Sequence, residues 1–431
     1  MSPGMRSTAV GGALVVTLLF ASVGSAAGSF AGDGFETVDF GGADKAQGVA
    51  IRSGGTIVVA GSTRTGPSAS DFAVARFKRS GSLDDSFSEN GMKTTDFGGR
   101  DEAYDVAIQP NGRIVVVGTS TGGGRRTFAL ARYRKGGALD DSFSSNGKAR
   151  TSFGVVAKGV AIQANGRIVV VGRTRDEFAV VRYKRNGHLD DSFSGNGKTR
   201  TDFGDYDSAH DVAIQRSGRI VVGGQGSRHD DFALARYKRN GRLDRSFSSD
   251  GKRTVRFSGH EAAEGVAIQE NGRLVAAGST HPSAPGDSFA VARLKKEGGL
   301  DRSFGGEFSW LGDGKTITGF RDDAAAHNLA IQRNGRIVVV GESGIKHTWN
   351  TFFHFEFSLA RYKRNGHLDH SFSGNGKQTT AFGPGDEVAY DVAFQSRRKL
   401  IVAGVISAGD LTDPAQDFLI ARYRNNGDLD H

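Results

Sequence analysis

Seven polar residues of five chemical kinds occupy one position of a recurring pattern. Gln47, Tyr104, Lys158, His210, Glu264, His327 and Tyr390 each stand two residues before a Val-Ala-Ile or a close variant of it. Imidazole, carboxylate, amine and phenol gathered around one concavity could move protons or hold a metal ion. His210, His327, Glu264, Tyr104 and Lys158 are therefore the candidates for acid/base chemistry. They carry no nucleophile motif and no metal-ligand spacing, so the expectation is no metal and no cofactor. A second group lies between Glu342 and Glu356, a stretch read as a long loop containing His347, Trp349, Phe352, Phe353, His354 and Phe355. Aromatic faces on a loop suit a sugar ring or a partner side chain, although the same rings could simply pack on a neighbouring repeat. The ligand-binding candidates are Trp349, Phe352, Phe353 and His354, joined by Gln47 and Tyr390 from the first group.

These positions are set by a repeat. Val-Ala-Ile segments start at Val49, Val106, Val160, Val212, Val266, Leu329 and Val392, at intervals of 57, 54, 52, 54, 63 and 63 residues. Such a period marks stacked supersecondary units. In the second unit, Val106 to Gln109 is followed by Asn111-Gly112, a hairpin turn signal. The β-branched run Ile114 to Val117, a strand from Phe128 to Tyr133, the turn Asn146-Gly147 and a last strand ending at Phe153 follow in order. Four short strands per unit, with glycine at fixed turn positions, read as one blade of a β-propeller. The run Ile114 to Val117 does not alternate, so both of its faces must be covered, and adjacent blades supply that cover.

The termini predict a closed ring. Six complete Leu-Asp-x-Ser-Phe segments begin at Leu83, Leu139, Leu189, Leu243, Leu300 and Leu368, and the seventh is split between Leu429-Asp430 and Ser29-Phe30. The expected fold is all-β: a seven-bladed β-propeller with four antiparallel strands per blade. Inner strands start near 49, 106, 160, 212, 266, 329 and 392, and residues 35–40 complete the last blade as its outer strand. Closure of this kind removes an exposed sheet edge.

The Val-Ala-Ile-Gln, Asn-Gly-Arg-Ile-Val-Val-Val-Gly, Phe-Ala-x-Ala-Arg-Tyr and Leu-Asp-x-Ser-Phe segments together resemble the delta-60 repeat family of bacterial β-propeller proteins, over about residues 30–431. The order of elements is also similar to NHL-type repeats, and this resemblance implies that the Val-Ala-Ile strand is innermost. It implies no established activity. Two local departures are Ser396-Arg397-Arg398 in place of the last Asn-Gly turn and Leu294 in place of an aromatic residue.

Residues 1–27 lie outside the repeats. Arg6, the apolar run Ala13 to Phe20 and the small residues Gly24 to Ala27 read as a secretory signal peptide, leaving 28–431 as the propeller. The apolar run is short and no basic stop signal follows it, which argues against a membrane anchor. The destination is then periplasm, cell surface or medium, with no transmembrane segment in the mature form. There is no Cys, so disulfides and thiolate metal sites are excluded.

The formal charge is +9. Runs such as Lys78-Arg79, Lys184-Arg185 and Lys238-Arg239, with Lys148, Lys198 and Lys252, put a basic rim on one face. That rim could attract anionic polymers weakly. It lacks the interleaved aromatic residues of a specific nucleic-acid platform. Arg and Asp recur at fixed places in all seven units (Arg182 and Asp190, for example) and are read as an internal structural pair. Function belongs where the copies differ, since the fold does not dictate the residue there. The expectation is an exported, monomeric, non-catalytic propeller that binds a protein or glycan through its variable loop face. The alternative is a hydrolase or lyase using the candidate acid/base residues.

Overall fold

The structure, a computed structural model, describes residues 30–66, 69–226, 230–257, 259–282, 286–305, 312–346, 353–396, 398–409 and 415–431. The leader expected over 1–27 lies outside the described residues, as do Trp349 and Phe352. Among the described residues all regular structure is β, and no helix is long and apolar enough to cross a membrane.

Strands pair with their chain neighbours to give five sheets of four strands and one of eight. The eight-stranded sheet is two repeats joined only by the parallel bridge Ser70↔Arg100. The fourth repeat shows the build: Ser208–Ile214, Ile220–Gly226, Asp231–Tyr237 and Lys252–Val255 lie antiparallel in chain order. The last sheet departs from this order. Its edge strand is Phe35–Val38, paired antiparallel with Gln416–Arg424 in the register Phe35↔Ala421 to Val38↔Phe418.

The core lies between sheets. Val169, Val171 and Phe178 of the third repeat pack with Val212, Ile220, Val222 and Tyr237 of the fourth. The second strand of each repeat is therefore apolar on both faces, as its unbroken Ile-Val-Val sequence requires. Val49, Ile57 and Val59 of the first repeat share one cluster with Ile401, Ala403, Phe418 and Ile420 of the last.

A clamp binds each repeat to the next. Arg182 donates from Nε to Asp190 Oδ2 at 2.7 Å, from Nη2 to Ser192 Oγ at 3.0 Å, and from Nη1 to the Arg239 carbonyl of the following repeat. Its guanidinium lies 4.7 Å from the centre of the Phe193 ring. In the last repeat Arg422 donates to the Arg79 carbonyl of the first at 2.9 Å and lies over Phe30 at 4.5 Å.

One sequence reading needs correction. The fifteen residues from Glu342 to Glu356 are not a continuous loop. Strands Ile337–Lys346 and Phe353–Tyr362 extend far beyond the sheet's middle, with Ser343↔Glu356 and Lys346↔Phe353 in register. Backbone pairing outweighs the polar and aromatic composition that suggested a loop, because each added pair satisfies backbone groups at no extra closure cost.

Candidate functional site

The first strand of every repeat carries the same irregularity. Its pairing with the second strand skips one residue: Gln47, Tyr104, Lys158, His210, Glu264, His327 or Tyr390. These are the seven divergent residues, and each is the extra residue of a β-bulge. A bulge bends its strand and re-aims the side chain it carries. Two small residues build it. The preceding alanine (Ala209 in the fourth repeat) is fully buried. The glycine opposite, Gly224, has the Ser208 carbonyl oxygen where a Cβ would stand. This close approach explains the Gly that ends the Ile-Val-Val run in each repeat.

The bulge residues form a polar belt. The Lys158 ammonium lies 4.4 Å from the centre of the Tyr104 ring, and the Tyr104 hydroxyl donates to Glu102 Oε2 at 2.7 Å. His210 Nδ1 is 2.8 Å from Glu264 Oε2, and its Nε2 is 3.0 Å from Ser208 Oγ. The first contact is a close ionic approach and not a well-directed hydrogen bond. His327 Nε2 is 2.5 Å from Glu342 Oε2, and its ring lies 5.0 Å from that of Tyr390. Gln47 takes the same bulge position, half-buried.

Charge is organised along this belt. Burial works to raise the Glu264 carboxyl, but His210, Lys158 and His327 outweigh it and hold the group at about 2. Burial works to lower His327, but Glu342 beside it and Glu264 lift it above the usual imidazole range. Burial pushes both phenols up, with Glu102 adding at Tyr104 and Glu342 at Tyr390, so both stay neutral. The belt thus sets ionised carboxylates against imidazoles, with neutral hydroxyl donors close by. That combination can move protons.

One residue further along lies a second layer: Gly48, Asp105, Gly159, Asp211, Gly265, Asn328 and Asp391. Each Asp carboxylate accepts from the next amide of its own strand and from the next repeat. Asp105 accepts from Val160 N at 2.7 Å, Asp211 from Val266 N at 2.7 Å and Asp391 from Val49 N at 2.6 Å. Glycine alternates with these residues because the next backbone comes too close for a side chain; a Cβ on Gly159 would meet the His210 carbonyl oxygen at 2.8 Å. The alternation breaks once. Asn328 and Asp391 are neighbours, and Asn328 Nδ2 donates to Asp391 Oδ1 at 2.6 Å. An amide there avoids facing two carboxylates. Burial, with the Asp211 charge adding, pushes Asp391 up to about 7. Burial with Asp391 and Asp211 raises Asp105 well above the usual carboxylate range.

The loop candidates do not join this belt. His354 sits on strand Phe353–Tyr362 with Nδ1 3.7 Å from Asp386 Oδ1. Phe353 opens the same strand. A different feature of the loop face went unread in the sequence. Between the second and third repeats is a cavity of about 520 Å³ lined by Arg125, Arg126, Arg175 and Arg200, together with Phe153 and Glu177. Arg200 pairs with Glu177 at 3.4 Å and stacks 5.0 Å from the Phe153 ring centre. The other three guanidiniums form no ion pair with a described residue. Arg125 and Arg126 open strand Arg125–Tyr133, Arg175 lies between strands and Arg200 sits on the outer strand Lys198–Thr201, so no single local motif marked them. Among the described residues two carboxylate triplets could hold a cation, Asp39, Asp44 and Asp417, and Asp71, Asp96 and Asp101, each with ligand oxygens within 4.8 Å of one another.

Five segments of the chain, 54–87, 109–143, 163–193, 215–247 and 269–304, match the family described as "Domain of unknown function (DUF5122) beta-propeller". No curated protein matches the sequence. The chain is similar to a solved protein of unknown function from Dyadobacter fermentans, with 11% identity, 91% of this chain and 99% of that chain covered, and a TM-score of 0.45. It is similar to virginiamycin B lyase from Staphylococcus aureus, with 9% identity, 90% and 98% covered, and a TM-score of 0.45. It is also similar to a polysaccharide lyase, an ulvan lyase bound to -[GlcA(1-4)Rha3S]-, with 11% identity, 91% and 96% covered, and a TM-score of 0.49.

Proposed function

We propose that this β-propeller repeat protein is exported, closes as a ring of seven blades, and binds an acidic glycan on its variable loop face. Ring closure is supported by the pairing of Phe35–Val38 with the last strand. It is also supported by the Asp391 contact to Val49 and the Arg422 clamp on the first repeat. The Gly/Asp alternation adds to this, because a two-state alternation fits an odd ring only with one irregular pair, and Asn328–Asp391 is such a pair. Export is supported by the apolar run Ala13 to Phe20 followed by small residues.

The observation that carries the binding reading is the four-arginine cavity. Guanidinium forks match carboxylate and sulfate geometry two donors at a time. Its volume of about 520 Å³ suits one or two sugar units, and its guanidinium lining disfavours a lipid chain.

The test is affinity for an acidic polysaccharide such as polygalacturonate against neutral dextran, measured by calorimetry. Binding of the acidic polymer alone is expected, weakened at least about tenfold in the Arg126→Ala, Arg175→Ala double variant. Equal affinity for the two polymers, or no loss in the double variant, contradicts the proposal.

A further inference from the structure

The belt contains one arrangement that no other repeat reproduces. Ser208 Oγ lies 3.0 Å from His210 Nε2, and Glu264 Oε2 lies 2.8 Å from His210 Nδ1. Hydroxyl, imidazole and carboxylate are thus linked through the two different ring nitrogens, the order that activates a serine. The three positions are one residue before the buried alanine, the bulge itself and the bulge of the next repeat. At the same positions elsewhere stand Lys45, Gln47 and Tyr104, then Glu102, Tyr104 and Lys158, then Val156, Lys158 and His210. The remaining sets are Ala262, Glu264 and His327; Ala325, His327 and Tyr390; and Val388, Tyr390 and Gln47. Only the fourth repeat supplies all three groups, so the fold does not demand them.

We infer that Ser208, His210 and Glu264 form a hydrolytic triad that cleaves a short-chain carboxylic ester. Ser208 is 6% exposed, so a small acyl group is the fitting test substrate. Ser208 Oγ attacks the ester carbonyl carbon and its proton passes to His210 Nε2. The tetrahedral intermediate collapses by breaking the bond to the alcohol oxygen, which takes the proton from Nε2. Water then attacks the acyl-serine, giving its proton to Nε2, and the acid leaves as Ser208 recovers its proton. Ser208 and His210 are the catalytic residues. Glu264 is a positioning residue that orients the ring and stabilises the imidazolium.

The site adjoins the arginine cavity. Asp207 N donates to the carbonyl of Asp176, which lines that cavity, at 3.0 Å. The inference nonetheless stands apart from glycan binding, and its assay contains no polysaccharide, so either reading can fail alone.

The experiment treats the full-length protein with a fluorophosphonate probe, maps the adduct by mass spectrometry, and follows p-nitrophenyl acetate hydrolysis. One adduct on Ser208 is expected. In Ser208→Ala, kcat/KM is expected to fall on the order of 10³-fold with an unchanged melting curve. In Glu264→Gln, kcat falls and the acid limb of the kcat/KM profile moves to lower pH, a shift that a purely structural role would not produce. Labelling of the wild-type protein does not depend on how any variant folds. No adduct at Ser208, or an undiminished rate in folded Ser208→Ala, overturns the inference.

Discussion

The clamp and the belt are both rows of polar residues that recur once per repeat, and they differ in one respect. The clamp has the same residues in every copy: Arg76 and Asp84, Arg182 and Asp190, through to Arg422 and Asp430. The belt has a different residue almost every time. The clamp guanidiniums are buried, stacked on phenylalanine and tied to the next repeat, so their identity is fixed by the fold. The bulge side chains are set by an alanine and a glycine that do not care what the bulge carries. Uniformity therefore marks structure and divergence marks where chemistry is free to specialise, as we infer for His210 and Glu264.

Exchanging residues in the two rows should separate these roles. Arg182→Ala is expected to cost about 3 kcal/mol, since it strips a buried pair and leaves the Arg239 carbonyl without its donor. His210→Ala, in the belt, should leave the melting temperature within a few degrees while abolishing ester hydrolysis. Comparable destabilisation by the two variants would break the distinction.

Gly224→Ala probes the bulge itself. A Cβ there strikes the Ser208 carbonyl oxygen, so the bulge must shift. A loss of about 1–3 kcal/mol together with lower activity is expected, measured by denaturant unfolding and turnover.

The pH dependence of stability separates them again. The clamp carboxylates, Asp190 among them, titrate in the fold below their ordinary 3.8: burial opposes ionisation, but the Ser192 hydroxyl and Arg182 outweigh it. They add stability that is complete above the unfolded value and lost as pH falls through the folded one. Asp391 runs the other way, raised from 3.8 to about 7, so its contribution declines as pH climbs between those values. Melting temperature should therefore peak in mildly acid solution, drop steeply below about pH 3 and decline gently towards neutrality. A flat profile between about pH 4 and 7 would remove the raised carboxylates from the account.

The smallest effect belongs to the exposed rim. Lys184 lies 3.3 Å from Asp191 with both side chains largely in solvent. Lys184→Ala should change stability by less than about 1 kcal/mol.

Much of this architecture is legible in the sequence. The spacing of Val-Ala-Ile marks the repeats, the unbroken Ile114 to Val117 run marks a strand covered on both faces, and Asn111-Gly112 marks its turn. The seven divergent positions also stand out, because an alignment of the chain with itself isolates them. The bulge behind them does not. It depends on Gly224 meeting a carbonyl across the sheet, a contact that composition cannot reveal. Ser208 was equally silent: its counterparts Lys45, Val156 and Ala262 share no chemistry, and its meaning appears only when His210 lies beside it. The arginine cavity gathers residues from separate segments, so proximity had to come from the fold. The aromatic stretch misled for a physical reason, since phenylalanine is also a good strand former and Phe355 pairs across the sheet with Gly344.

The proposed ring rests on the first strand completing the last sheet, since closure there would turn a row of bulges into a shared mouth. The chain has no Cys, so one engineered pair gives an unambiguous readout. Thr37 and Leu419 face each other across the two terminal strands. In the Thr37→Cys, Leu419→Cys variant, mild oxidation should form an intramolecular disulfide quantitatively in the monomer and raise its melting temperature. Persistent free thiols, or disulfide-linked dimers in place of the internal bridge, would contradict the ring.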